Sequence, residues 1–137
     1  MELEITDLVL LKYDAQTGIL YARWPDSSPI MATYFEESLE AVIEAINQYD
    51  VKYFLLDSAR NRNNLSVGNY LNIFTLLFSG LAQTRLQKMA RIKSKYADIE
   101  EKYQRYNQEI INGIGVNFKV GNFETRESAA AWLISES

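Results

Sequence analysis

The order of apolar and polar positions along the chain predicts a regular alternation of strands and helices. Five short runs rich in aliphatic and aromatic residues, each bounded by turn-forming or charged residues, are typical of β-strands. A longer segment with apolar residues at helical spacing follows each of the last four of these runs. The predicted strands are residues 8–13, 19–24, 51–56, 88–93 and 116–120, and the predicted helices begin near residues 33, 66, 98 and 125.

These elements predict an α/β fold in the order ββαβαβαβα. The link at residues 14–18 between the first two strands is short and ends in glycine, so these strands are expected to form an antiparallel hairpin. Helices connect the remaining strands, and a helical crossover joins parallel neighbours. We therefore predict a mixed five-stranded sheet whose first strand is antiparallel, within a single domain spanning residues 1–137.

Polar and apolar residues alternate in the last two predicted strands, which is unusual for strands that are buried on both faces. Such alternation indicates that one face of the sheet is only partly covered. Arg23, Arg91, Lys93 and Lys119 would then share a mildly basic face on an otherwise acidic protein. The alternative is that they are ordinary solvated residues of edge strands.

Composition narrows the classes of function. The chain has neither cysteine nor histidine, which removes thiolate nucleophiles, the commonest general base and the commonest transition-metal ligands. We therefore expect a protein that is not an enzyme and has no metal or cofactor. The net charge of −4 at pH 7 argues against binding to nucleic acid. No apolar run is long enough to span a membrane, so a cytoplasmic location is expected.

Residues 51–82 form the segment in which functional residues are most expected. A predicted strand ends at Asp57, a polar loop follows, and an apolar helix begins near residue 66. Ligands gather where strand C-termini meet helix N-termini, and guanidinium groups suit anionic ligands. This predicts a loop that binds an anion or a partner, made of Asp57, Ser58, Arg60, Arg62 and Asn64. The alternative is a solvated crossover loop that the Asp57 carboxylate braces.

Three ordered motifs carry a family resemblance. They are YDAQTGILYARWP at residues 13–25, YFLLDSARNRNNLS at residues 53–66 and FKVGNFETRESAAAWL at residues 118–133. With this order and spacing the chain resembles the STAS superfamily, and in particular the stand-alone bacterial STAS/SEC14-like proteins. The resemblance implies a non-catalytic regulatory domain that acts through protein–protein contact, in the manner of anti-sigma-factor antagonists. Its expected partner is a protein such as an anti-sigma factor or a kinase.

The resemblance also implies a phosphorylation site. Anti-sigma-factor antagonists carry a phosphorylatable residue at the start of the second helix, and Ser66 falls at that place. Asn64 and Leu65 stand where the family pattern has Asp and Ser. A phosphate on Ser66 would be stabilised by the helix N-terminus and by neighbouring arginines, whereas the structural alternative is that Ser66 is simply the N-cap.

Two further alternatives concern the ligand and the oligomeric state. SEC14-type relatives hold lipids beside an apolar helix, so the chain could instead be a small carrier or sensor for an apolar, lipid-like or anionic metabolite. A homodimer could form through the exposed sheet face or through tyrosines such as Tyr96, Tyr103 and Tyr106, because tyrosine is enriched at interfaces.

Overall fold

The structure of the protein is a computed structural model, in which residues 2–5, 10–23, 32–59 and 67–135 are described. The strands are β1 (Glu2–Ile5), β2 (Leu10–Asp14), β3 (Ile19–Arg23), β4 (Tyr53–Asp57), β5 (Lys88–Ile92) and β6 (Lys119–Phe123). The helices are α1 (Ala32–Gln48), α2 (Val67–Ala82), α3 (Ala97–Ile114) and α4 (Arg126–Ile134). None of these helices combines the length and apolarity needed to cross a bilayer.

The six strands form one mixed sheet in which neighbours in sequence are also neighbours in space. The pairs β1–β2 and β2–β3 are antiparallel, and β3 to β6 are parallel. The predicted α/β class, the mixed sheet and the antiparallel hairpin are confirmed. The sheet has one strand more than the predicted five, namely β1. Its residues ELEI do not form an apolar run, and its place depends on backbone pairing with the edge of β2.

The hairpin between β2 and β3 has the turn chemistry that its sequence predicts. Gly18 adopts a φ of 76°, a region that favours glycine, and its N–H donates to the Asp14 carbonyl at 2.8 Å. The Asp14 side chain accepts a second bond, from the Gln16 N–H at 2.9 Å. The turn therefore holds β2 and β3 in a fixed register, with Lys12 directly opposite Tyr21.

Helices cover the two faces of the sheet unequally. On one face, α1, α2 and α3 enclose the larger apolar core, in which Leu20, Phe54 and Met89 of the sheet are fully buried. On the other face α4 packs across β4, β5 and β6, and it is the only helix of the described residues to do so. There the alternate residues of the strands, including Tyr21 and Leu55, form a smaller cluster with Ala129 and Leu133 of α4. The predicted partial covering of one face is thus observed.

Arg91 does not lie on the partly covered face, so the prediction that four basic residues share that face is wrong. Arg91 is 2% exposed and points into the three-helix face, where its guanidinium lies 3.4 Å from the centre of the Tyr103 ring. Arg23 and Lys119 do fall on the face of α4, because they continue the rows of Asp57 and Lys88 in the sheet. The alternation in β5 reflects an ion pair buried under α3.

Candidate binding groove beside helix α4

A groove runs along β2 and β3 where the cover of α4 ends. Its volume is about 650 Å³. Hairpin residues 12–17 form one side, and Arg126 and Ala130 of α4 form the other. Ile19, Tyr21 and Leu55 form the floor. Among the described elements α4 is the only helix on this face, and its nine residues cannot cover a six-stranded sheet.

The floor of the groove is held in place by the pair Tyr21 and Asp57. The Tyr21 hydroxyl donates to Oδ2 of Asp57 at 2.5 Å, and Oδ1 of Asp57 accepts from the Ala59 N–H at 3.0 Å. Burial raises the pKa of Tyr21 to about 12, and the hydrogen bond to Asp57 adds to the rise. Tyr21 is therefore a neutral donor, and Asp57 braces the start of the crossover loop against β3.

Three cations surround Tyr21. The Arg126 guanidinium lies 4.0 Å from the centre of the Tyr21 ring, and Lys12 is the residue opposite Tyr21 on β2. Arg23 lies two residues farther along β3, and its charge, like that of Arg126, favours the ionised phenol. Lys12, Arg23 and Arg126 take part in none of the four ion pairs between described residues. These charges are therefore available to a ligand.

The N-terminus of α4 is capped by the side chain of Thr125. Thr125 has extended backbone angles, and its hydroxyl oxygen accepts from the Ser128 N–H at 3.1 Å. The prediction that a helix begins near residue 125 is confirmed. Arg126 is the first residue after this cap, and its guanidinium lies over the Tyr21 ring.

The C-terminus of α4 is held by Lys88, which the sequence analysis did not single out. This lysine is only 6% exposed, and its Nζ donates to the carbonyls of Trp132 at 3.1 Å and Ser135 at 2.8 Å. A cation at a helix C-terminus is favourable, and the ammonium also lies 5.2 Å from the centre of the Trp132 ring. The available signal was a lysine at the start of the strand KMARI, on the same face of that strand as the apolar residues Ala90 and Ile92.

A buried polar cluster lies on the opposite face of the sheet, under α3. Glu100 accepts from Arg91 at 3.0 Å, from the Ser94 N–H at 2.9 Å and from Gln104 at 2.7 Å. Burial alone would raise the pKa of Glu100, but the hydrogen bonds from Arg91 and Gln104 outweigh it and lower the pKa. Tyr103 is 1% exposed, so it belongs to this core and not to an association surface as predicted.

The structure describes two of the residues of the predicted loop, and both already form hydrogen bonds within the protein. Asp57 is engaged with Tyr21 and Ala59, and Ser58 is buried with its N–H donating to the Ile92 carbonyl at 3.2 Å. The remaining predicted residues, Arg60, Arg62, Asn64 and Ser66, lie outside the described residues. Within the described ranges, no three or more carboxylates come together in a way that could hold a metal ion.

Comparison with known proteins gives one structural likeness. No protein-family model matches the chain, and no curated protein matches it significantly. The chain is similar to a chain in the crystal structure of the diguanylate cyclase SiaD in complex with its activator SiaC from Pseudomonas aeruginosa. The two share 17% sequence identity with a TM-score of 0.45, over 90% of this chain and 99% of the other. At that level the likeness carries no argument about function.

Proposed function

We propose that this protein is a non-catalytic regulatory domain that acts through contact with a partner protein, in the manner of anti-sigma-factor antagonists. The observation that carries the proposal is the groove beside α4, an open surface on a rigid support. Its floor is apolar, and tyrosine and arginine, two residue types that often dominate binding energy, stand within it. Without histidine or cysteine, and with Asp57 already bonded, the groove is better suited to binding than to catalysis.

The rigidity of the groove supports recognition. Tyr21 is held by Asp57, Arg126 by the Thr125 cap and the Tyr21 ring, and the far end of α4 by Lys88. A surface whose side chains are already ordered loses less conformational entropy when a partner binds. A partner could therefore bind tightly to a small contact area.

Steric blocking of the groove tests the proposal. Ala130 lines the groove, whereas the neighbouring Ala131 is exposed on α4 outside it. We expect the tagged wild-type protein and Ala131→Trp to retain the same partner protein in stoichiometric amount from cells of the source organism. Ala130→Trp should retain at least roughly tenfold less. Failure to retain any partner, or equal retention by the two variants, would contradict the proposal.

Phosphorylation of Ser66 is the proposed means of regulation. Helix α2 begins at Val67, directly after Ser66, so a phosphate there would meet the unpaired N–H groups of the first turn. Phosphopeptide mass spectrometry of protein isolated from the source cells should find modified Ser66. A Ser66→Asp variant should change partner retention relative to Ser66→Ala. If both variants retain the partner equally and no modified peptide is found, the proposed regulation by phosphorylation of Ser66 is contradicted.

A small carrier or sensor is the second candidate, and the volume of the groove is the observation that favours it. About 650 Å³ falls within the range of small-molecule sites. Native mass spectrometry of the purified protein should then find a bound apolar or anionic compound, which Ala130→Trp would exclude and Ala131→Trp would retain.

A further inference from the structure

We propose that the groove beside α4 receives an acidic amphipathic helix of the partner, which lies next to α4 over β2 and β3. This inference rests on the proposed function and adds to it the chemistry and direction of the contact. It follows from the space beside α4, the apolar floor and the placement of charge.

The space on the partly covered face fits one further helix. Helix α4 packs over β4, β5 and β6, and no other helix of the described residues packs on this face, so within that part of the chain the width of β1, β2 and β3 stays open. Three strands about 4.8 Å apart span roughly 14 Å, and a helix with its side chains is about 10–12 Å across. The five residues of β3 extend for about 16 Å, the length of roughly eleven helical residues. A second helix would complete the layer that α4 begins.

The floor provides an apolar contact for such a helix. Ile19 and Leu55 line the groove and belong to the smaller core cluster, and because they are only 7% and 2% exposed they offer a partner just the outer atoms of this apolar floor. Ala130 adds a small apolar side chain on the flank of α4. Because alanine has almost no volume beyond its Cβ, a neighbouring helix can approach α4 closely. An apolar stripe at helical spacing on the partner would cover this floor.

The charges around the groove favour an acidic partner. Lys12 and Arg126 line the groove, Arg23 lies two residues beyond Tyr21 on β3, and none of the three belongs to an ion pair between described residues. Complementary charge across an interface steers association and disfavours wrong partners. Carboxylates flanking the apolar stripe would therefore meet these three cations.

The same charges give the bound helix a direction. Asp14 lines the hairpin end of the groove, whereas Arg126 lies at the opposite end, above Tyr21. A helix N-terminus is favoured beside a carboxylate, and a C-terminus beside a cation. The partner helix should thus begin near Asp14 and end near Arg126, antiparallel to α4.

Two synthetic peptides test the inference. Each has about 18 residues, a length at which an isolated amphipathic helix is only marginally stable in water. Both carry the same leucine and alanine stripe, but one is flanked by glutamate and the other by lysine. We expect the glutamate peptide to bind the full chain at least roughly tenfold more tightly in fluorescence anisotropy. It should also gain helical circular dichroism on binding. Equal affinities, or binding without helix formation, would overturn the inference.

Charge reversal in the protein makes the test specific to the groove. The double variant Lys12→Glu/Arg126→Glu should invert the preference and select the lysine peptide. The matched control Lys52→Glu/Lys95→Glu changes two exposed cations that line no part of the groove and should keep the wild-type preference. Loss of preference in both double variants would indicate net charge alone and would overturn the inference.

The failure of this inference differs from the failure of the proposed function. A native partner that is lost with Ala130→Trp but retained by Lys12→Glu/Arg126→Glu would leave the proposed function standing and overturn the acidic helix. Dodecanoate that binds in the groove, with neither peptide binding, would also overturn it and favour the carrier.

Discussion

The two faces of the sheet are completed in different ways, and the difference separates stability from recognition. Helices α1, α2 and α3 close one face over the larger core, and a polar cluster around Arg91 is buried within it. On the other face α4 covers three strands and borders a groove in which Tyr21 is held by Asp57 and the cations Lys12 and Arg126 form no ion pair with a described residue. Substitutions on the closed face should therefore affect folding, whereas those in the groove should affect binding.

Truncation in the closed core should give the largest effect. Phe78 is fully buried and its ring stacks near that of Phe118. Phe78→Ala should lower the free energy of unfolding by about 3–5 kcal/mol in urea titration. Leu76→Ala, on the exposed side of the same helix, should change it by less than about 0.5 kcal/mol. Similar losses for both would contradict the assignment of the core face.

Breaking the buried ion pair should be the next largest effect. Glu100→Ala leaves the Arg91 guanidinium buried without its carboxylate, and we expect a loss of about 3 kcal/mol in urea titration. Glu101→Ala removes the exposed pair with Arg105 and should cost less than about 1 kcal/mol. Equal costs at the adjacent positions would show that burial of the pair is energetically irrelevant.

The same pair predicts an acid sensitivity of the closed face. The pKa of Glu100 is lower in the folded protein than its ordinary 4.5, so its stabilisation is present above that pH. It is lost as the pH falls through the folded pKa, because the unfolded chain takes up the proton first. Stability curves of wild type and Glu100→Gln should therefore converge on acidification below about pH 4.5. Parallel curves would contradict this.

Removal of the Lys88 ammonium should loosen only the partly covered face. Lys88→Met keeps the alkyl chain but loses the bonds to the Trp132 and Ser135 carbonyls, at a cost of about 1.5–3 kcal/mol. Amide hydrogen exchange should speed up in α4 while α1 and α2 keep their protection. A uniform increase over all helices would indicate that α4 does not open separately.

The smallest expected effect is in the groove floor. Tyr21→Phe removes the hydrogen bond to Asp57 and should cost about 1 kcal/mol. Because the folded pKa is raised to about 12, wild-type stabilisation by this phenol is present below pH 10 and is lost between about pH 10 and 12. Alkaline absorbance titration should show one late-titrating tyrosine fewer in Tyr21→Phe. If the titration of Tyr21→Phe matches that of the wild type, the raised pKa belongs to a residue other than Tyr21.

The fold was largely predictable because its elements are encoded by local patterns. All five predicted strands and four predicted helices are present, since burial imposes period two or 3.6 on the sequence. Boundaries were less accurate. Helix α3 was predicted to begin near residue 98 and begins at Ala97, after the N-cap Tyr96, whereas the last strand covers Lys119–Phe123 instead of residues 116–120. Local signals at element ends are weak compared with the tertiary contacts that set them.

The candidate groove could not be predicted in the same way. Its floor pair, Tyr21 and Asp57, is separated by 36 residues, and Arg126 reaches Tyr21 from the far end of the chain. No periodicity links such positions. The sequence did indicate a partly covered face and cations near it. Arg91 was wrongly assigned to that face. Alternation within a strand separates its two faces, but it does not say which of them the helices will cover.

By itself, the sequence determined the kind of protein: the α/β order, the mixed sheet, the hairpin turn at Gly18 and the lack of histidine and cysteine chemistry. Only the tertiary structure decided where binding can occur. Local hydrogen bonding and apolar periodicity act within a few residues and are written in the chain. The groove is instead the part of the sheet beside the short helix α4 that this helix does not cover. It forms only when α4 packs on the sheet.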